Sequence, residues 1–178
     1  TVEENNIKDI DIVVVNLYKF EESLKSNDID NIIENIDIGG PTLIRSAAKN
    51  HKDCIVLTDP SDYDEFLEKL ENNQVDLEYR RYLAMKAYSL TAYYDSVISR
   101  FFKDLTKKES EYKTYGLRKI EDLRYGENPS QKASLYEDTY AKGLLKDIEI
   151  LHGKAMSFNN YNDLNIALEL AKELGENS

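Results

Sequence analysis

Residues 10–18 read Ile10-Asp11-Ile12-Val13-Val14-Val15-Asn16-Leu17-Tyr18, a β-branched run with almost no alternation. A strand with one face in water alternates apolar and polar residues, whereas a run without alternation reads as a strand buried on both faces of an α/β sheet. Its end, Asn16-Leu17-Tyr18, then falls where such sheets present side chains to ligands. Working outward, Ile29, Ile32, Ile33 and Ile36 recur at helical spacing up to a sharp break at Gly39-Gly40, and Pro41 suits the first turn of a new helix through Ala47 and Ala48. Cys54 to Leu57 reads as a second short buried strand. Asp59-Pro60-Ser61-Asp62 supplies capping residues for a helix carrying Tyr63, Phe66, Leu67 and Leu70. Strand, helix, strand, helix is the rhythm of an α/β layer.

From Tyr79 to Phe102 the spacing of Leu83, Ala87, Leu90, Tyr94, Val97 and Phe101 predicts one long helix with an inward stripe. Thr106 to Lys119 is charged and has no sustained apolar period, so it is the expected linker, with one domain over 1–113 and another over 114–178. Beyond it, Leu135-Tyr136, Leu144 to Leu151 and Asn165 to Leu174 mark shorter elements, too few to close a core alone.

The chain has 178 residues and a formal charge of -11, which argues against duplex nucleic acid as a general partner because phosphate backbones are held by clusters of lysine and arginine. Cys54 is the only cysteine, so no intrachain disulfide or cysteine zinc cluster forms, and with His51 and His152 as the only imidazoles no metal site is expected. Apolar runs fall far short of the roughly 20 residues that span a bilayer, and Thr1, Val2, Glu3 and Glu4 do not resemble a basic signal-peptide start. A soluble cytoplasmic protein is expected.

The segment most suited to chemistry is Ile36-Asp37-Ile38-Gly39-Gly40-Pro41-Thr42-Leu43-Ile44-Arg45-Ser46-Ala47-Ala48-Lys49-Asn50-His51. Two glycines let a backbone approach a ligand closely, and the helix that follows presents free amides that favour an anion. Arg45 and Lys49, four apart, share a helical face and are expected to add positive charge to one pocket, with Asp37 just before the turn. The competing reading is an ordinary turn, a locally hydrogen-bonding aspartate and a solvated basic face.

The same run, with Asn16-Leu17-Tyr18-Lys19-Phe20 upstream, resembles the IMP cyclohydrolase domain of the bifunctional purine enzymes that join a formyltransferase to a cyclohydrolase. Leu123-Arg124-Tyr125-Gly126-Glu127-Asn128-Pro129-Ser130-Gln131 resembles the opening of the formyltransferase domain of that family, and Ser157-Phe158-Asn159-Asn160-Tyr161-Asn162-Asp163 a further segment of it. The resemblance also runs through Ala84 to Phe102. It implies a methylglyoxal-synthase-like parallel sheet layer followed by the start of a cytidine-deaminase-like α/β domain. The implied chemistry is formyl transfer from 10-formyltetrahydrofolate to aminoimidazole carboxamide ribonucleotide, then dehydrating ring closure to IMP. By matching motif, Tyr18, Asp37 and Lys49 would be cyclohydrolase residues, and Asn16, Leu17, Gly39 and Gly40 would line its nucleotide site. Arg124, Tyr125 and Asn160 would hold the ribonucleotide in the formyltransferase. The partners implied are ribonucleotides, folate and a second copy of the chain.

Two positions depart from the family pattern. Lys19 stands where the family has proline, loosening the turn after Tyr18 while adding a cation near the expected phosphate, and Ser130 replaces the histidine of Asn-Pro-His-Gln. His51 is read as a helix-end cap and His152 is given no role. The resemblance further implies an interior piece of the enzyme that holds part of each site and is inactive alone. A non-catalytic nucleotide-binding or dimerising piece, or a general α/β phosphate-binding or interaction module, are the alternatives.

Overall fold

The computed structural model describes residues 8–140, 145 and 148–175. The chain divides into two compact units at Tyr115–Gly116. The expected features at Thr1–Glu4 lie outside the described residues.

In the first unit, β1 (Ile12–Val14) pairs in parallel with β2 (Ile55–Leu57), so that Ile12, Val13 and Val14 stand beside Ile55, Val56 and Leu57. Between them run α1 (Phe20–Ser23), α2 (Ile29–Glu34) and α3 (Gly39–Lys49); after β2 come a 3₁₀ turn at Pro60–Asp62, α4 (Tyr63–Glu71) and α5 (Leu77–Thr106). Asp28, Asp59 and Asp76 accept backbone N–H bonds at the starts of α2, the 3₁₀ turn and α5, satisfying amides that have no partner inside a helix. The core is Ile44, Ala47 and Ala48 of α3, the whole of β2, Phe66 of α4, and Leu83, Ala84 and Ala87 of α5. The predicted stripe of α5 is realised, with Leu83, Ala87, Tyr94 and Val97 buried and Leu90 and Phe101 half-buried.

Burial on both faces holds for β2 and not for β1. Ile55, Val56 and Leu57 are all buried, but Ile12 and Val14 are 39% and 51% exposed while Val13 packs inward. Among the described residues β1 pairs only with β2, and its second face is uncovered. The unalternating sequence is therefore that of a sheet interior, which β1 does not occupy here.

In the second unit, β3 (Leu117–Asp122) runs antiparallel to β4 (Ser134–Asp138), with a bulge at Ile120, followed by α6 (Phe158–Leu174). The segment read as a linker is thus shorter than expected. α5 continues to Thr106 and ends on Lys107, whose φ of 55° is left-handed, and Leu117–Lys119 belongs to β3. β3 escaped an apolar-pattern reading because nearly all of it is exposed; it is held by the ladder to β4 and by the cross-strand ion pair of Arg118 with Glu137. Of the element expected over Leu144–Leu151, Leu144, Lys146 and Asp147 lie outside the described residues, and Ile148–Leu151 carries no regular structure. Among the described residues no helix is long and apolar enough to cross a membrane.

Candidate functional site

The end of β1 and the start of α3 meet on one carboxylate. Asp37 Oδ1 accepts the N–H of Gly40 at 2.7 Å and Oδ2 accepts the N–H of Tyr18 at 3.4 Å. A negative group there is favoured by the amides and dipole of α3. The expected anion site is thus partly filled by the protein's own aspartate.

The two glycines differ in their reason for being there. A Cβ on Gly40 would stand 2.6 Å from Asp37 Oδ2 and 2.7 Å from Leu17 Cδ2, whereas one on Gly39 meets nothing within 4 Å. Gly40 lets the carboxylate sit against the helix start; Gly39 fronts open space. Neither has positive φ. Of the other residues assigned to this site, Leu17 is half-buried against the core, Asn16 donates from Nδ2 to the Tyr63 hydroxyl at 3.3 Å, and Tyr18 is 62% exposed.

Lys49 stands at the far end of α3 from this cluster: it is the last residue of the helix, and at about 1.5 Å of rise per residue its backbone lies roughly 15 Å along the axis from Gly39. Arg45 does not turn to the cluster either; its guanidinium lies 5.4 Å from the centroid of the Tyr88 ring, and the Tyr88 hydroxyl reaches the Arg45 carbonyl at 3.5 Å. The i, i+4 spacing puts the two cations on one face, as read, but the free amides belong to the first turn and these side chains to the second and third. Lys19 pairs with Glu22 at 3.0 Å, which occupies the cation expected near a phosphate. His51 Nδ1 lies 3.1 Å from the Ala48 carbonyl, at the end of α3.

Sequence reasoning missed Tyr94, whose hydroxyl accepts the Asp37 N–H at 2.8 Å. Its spacing assigns it to the apolar stripe of α5; the usable signal is that a buried tyrosine hydroxyl normally has a partner. Burial holds this phenol above its ordinary pKa, in opposition to the hydrogen bond from Asp37.

In the second unit the Leu123–Gln131 motif is a closed turn. Gly126 N–H donates to Gln131 O at 2.9 Å, Gln131 N–H to Asn128 O at 3.0 Å, and Asn128 N–H to Gln131 Oε1 at 2.8 Å. A Cβ on buried Gly126 would stand 2.9 Å from Gln131 Cβ, so the turn requires glycine. Two backbone bonds tie this segment to the start of α6: Arg124 N–H to Met156 O at 3.0 Å and Phe158 N–H to Tyr125 O at 3.1 Å. Ser130 is exposed on the turn.

The Arg124 guanidinium lies 4.9 Å from the Tyr125 ring centroid and donates to the Tyr125 hydroxyl at 3.2 Å. The carboxylates just before Arg124 are engaged elsewhere: Glu121 accepts from the Tyr161 hydroxyl at 2.8 Å, and Asp122 is held by Lys119 at 2.5 Å and Ser134 at 2.7 Å. Ser157 and then Arg124 lower the Tyr125 pKa by hydrogen bonding. Burial, reinforced by Glu121, pushes Tyr161 up to about 12. Asn160 serves the helix start, its Oδ1 accepting from Ser157 N at 3.1 Å while the Ser157 side chain caps the Asn160 N–H. Among the described residues its Nδ2 is the part left for a ligand.

This is a mixed α/β chain with a small parallel sheet, carrying a carboxylate just before α3 that binds the segment following β1, and an arginine–tyrosine pair in its second unit. Residues 47–178 match the model of the AICARFT/IMPCHase bienzyme family, and the chain belongs to that family. It is 49% identical over 175 residues to the bifunctional purine biosynthesis protein PurH of Aquifex aeolicus, covering 97% of this chain and 35% of that protein. To PurH of Clostridium perfringens it is 46% identical over 178 residues, covering 99% of this chain and 36% of the other. The chain spans about a third of the length of these curated relatives. Among solved structures it is similar to one described as the crystal structure of ForH, with a TM-score of 0.52 and 37% identity over 57% of this chain and 54% of that one. The segment Asn16 to Ser46 precedes the family-model match but lies within the span shared with the Clostridium relative.

Proposed function

We propose that this chain supplies part of two active sites of an enzyme that formylates aminoimidazole carboxamide ribonucleotide from 10-formyltetrahydrofolate and then closes the ring to IMP. Residues of the first unit serve ring closure and residues of the second serve formyl transfer. The observation that carries the reading is the Asp37 carboxylate, held between the N–H groups of Tyr18 and Gly40 where β1 ends and α3 begins. Open α/β sheets take ligands at the carboxyl ends of their strands.

Ring closure joins the carboxamide nitrogen to the formyl carbon; the formyl oxygen gains two protons and leaves as water. Each Asp37 oxygen that accepts one backbone N–H retains a lone pair, and with it the carboxylate orients the attacking amide or accepts its proton. Tyr18 polarises the formyl oxygen or passes it a proton, and Asn16, Leu17, Gly39 and Gly40 line the nucleotide. Lys49 enters from the family motif alone, as the group that stabilises developing negative charge or donates a proton. In the second unit Arg124 offers a forked cation to the phosphate, Tyr125 an aromatic surface to the heterocycle and Asn160 its amide nitrogen. The reading includes the methylglyoxal-synthase-like and cytidine-deaminase-like domains, a cytoplasmic homodimer, and no metal.

Both assignments are tested in a polypeptide of the relatives' full length that carries this sequence. Lys49→Ala is expected to lower ring-closure turnover at least about tenfold, equivalent to about 1.4 kcal/mol in the barrier, and a parental rate removes Lys49 from the site. Arg124→Ala is expected to raise the Michaelis constant for the ribonucleotide in formyl transfer by about tenfold or more, measured at saturating folate. An unchanged constant would count against the contact.

A further inference from the structure

We infer that Tyr94 is a positioning residue for ring closure, holding the peptide of Asp37 so that its carboxylate is aimed between α3 and the end of β1. The inference rests on the reading of Asp37 as part of the ring-closing site, and adds a residue from the middle of α5 to that site's support.

Residues 35–38 connect α2 to α3 and adopt no helix of their own. Such a segment has several backbone conformations open to it unless outside contacts choose one. The N–H groups of Asn35 and Ile36 bond back to the carbonyls of Ile32 and Ile33 at 3.2 and 3.0 Å, and Tyr94 holds the connection from outside: its hydroxyl accepts the Asp37 N–H at 2.8 Å and reaches the Asn35 carbonyl at 3.5 Å, gripping the chain on both sides of Ile36. With the main chain pinned there, the Asp37 side chain meets the N–H groups of Gly40 and Tyr18.

The phenol is itself fixed. Tyr94 is 7% exposed, and its ring meets the edge of Phe20, which is 2% exposed, at 6.2 Å between centroids. Phe20 in turn meets Phe101 edge-on at 5.9 Å. Phe20 lies two residues beyond Tyr18, and the adjacent Tyr93 donates to Glu21 at 2.6 Å. One stretch of α5 therefore supports both halves of the cluster: the Asp37 peptide through a hydroxyl, the Tyr18 segment through rings.

Tyr94→Phe keeps the ring and removes the hydroxyl. In the full-length polypeptide it is expected to lower kcat for ring closure five- to tenfold, with the Michaelis constant changed less than twofold and formyl transfer by the same polypeptide unchanged. In an Asp37→Ala background the further change Tyr94→Phe is expected to have no effect, because the group it positions is gone. A parental ring-closure kcat in Tyr94→Phe, or a loss that multiplies fully with that of Asp37→Ala, overturns the inference, as does an equal loss of both reactions, which marks general destabilisation. If Asp37→Ala itself closes the ring at the parental rate, the functional reading of Asp37 falls first and the role of Tyr94 with it.

Discussion

On the proposed reading of Asp37 as part of the ring-closing site, Gly40→Ala in the full-length polypeptide is expected to cut ring closure by about 100-fold, roughly 2.7 kcal/mol in the barrier, while leaving the protein folded. The new methyl carbon would stand 2.6 Å from Asp37 Oδ2, 2.9 Å from Asp37 Cγ and 2.7 Å from Leu17 Cδ2. All three atoms belong to side chains that rotate, so the fold has a cheap escape: the carboxylate swings away and Leu17 shifts. Alanine also favours helix over glycine by up to about 1 kcal/mol in helix interiors, less at a first turn. The two effects on stability oppose each other, and the thermal midpoint should move by only a few degrees. The chemistry has no such escape, because the displaced carboxylate loses its place between Gly40 and Tyr18. Steady-state rates of Gly40→Ala and its parent, with formyl transfer as an internal reference, decide the matter; a parental ring-closure rate in Gly40→Ala would show that the carboxylate is not used in this position.

The second large effect concerns stability. Lys86 Nζ lies 2.5 Å and 2.6 Å from the two oxygens of Asp62 and 4.0 Å from Asp59 Oδ2, and Asp62 is 8% exposed. Burial presses the ammonium pKa down, but Asp62 more than offsets it and the net shift is upward. The sign follows: a cation raised in the folded state adds stability that is complete below its unfolded pKa and is lost as the pH climbs through the folded one. The ion pair is therefore intact at neutral pH. Lys86→Met leaves a buried carboxylate without its cation, for which a cost of about 3 kcal/mol is expected, at the lower end for buried pairs because the lysine side chain is 24% exposed. That corresponds to a fall on the order of 10 °C in the transition that carries residues 8–115. Asp62→Asn with Lys86→Met should recover most of it, since no unpaired charge then remains. Thermal melts of the three proteins distinguish this from a generic packing loss, in which the double variant would be no better than the single one.

Much of the first unit is legible in the sequence. Period-3.6 stripes place α2, α4 and α5, the Asp59–Asp62 run marks the turn into α4, and short apolar runs mark β1 and β2, because each of these signals is local. The second unit was less legible. β3 is a mostly exposed, charged strand, stabilised by its antiparallel partner and by Arg118 with Glu137, and no pattern within its own residues announces a contact made with residues about twenty positions away. The same limit applied at the site. Spacing along one helix joined Arg45 and Lys49 correctly, yet spacing carries no information about which end of the helix faces a ligand.

Local sequence signals set the rhythm of strands and helices, mark the family through its ordered motifs, and single out Asp37, Tyr18, Arg124 and Tyr125 as candidate site residues. Tertiary structure alone decided that Asp37 is held by Tyr18, Gly40 and Tyr94, that Gly40 and not Gly39 is sterically required, that Lys49 stands at the far end of α3, and that β1 leaves one face uncovered. The physical reason is range: propensity, capping and periodicity act over a few residues and are written in neighbours, whereas a hydrogen bond from Asp37 to Tyr94 spans 57 positions and exists only once the chain has brought them together.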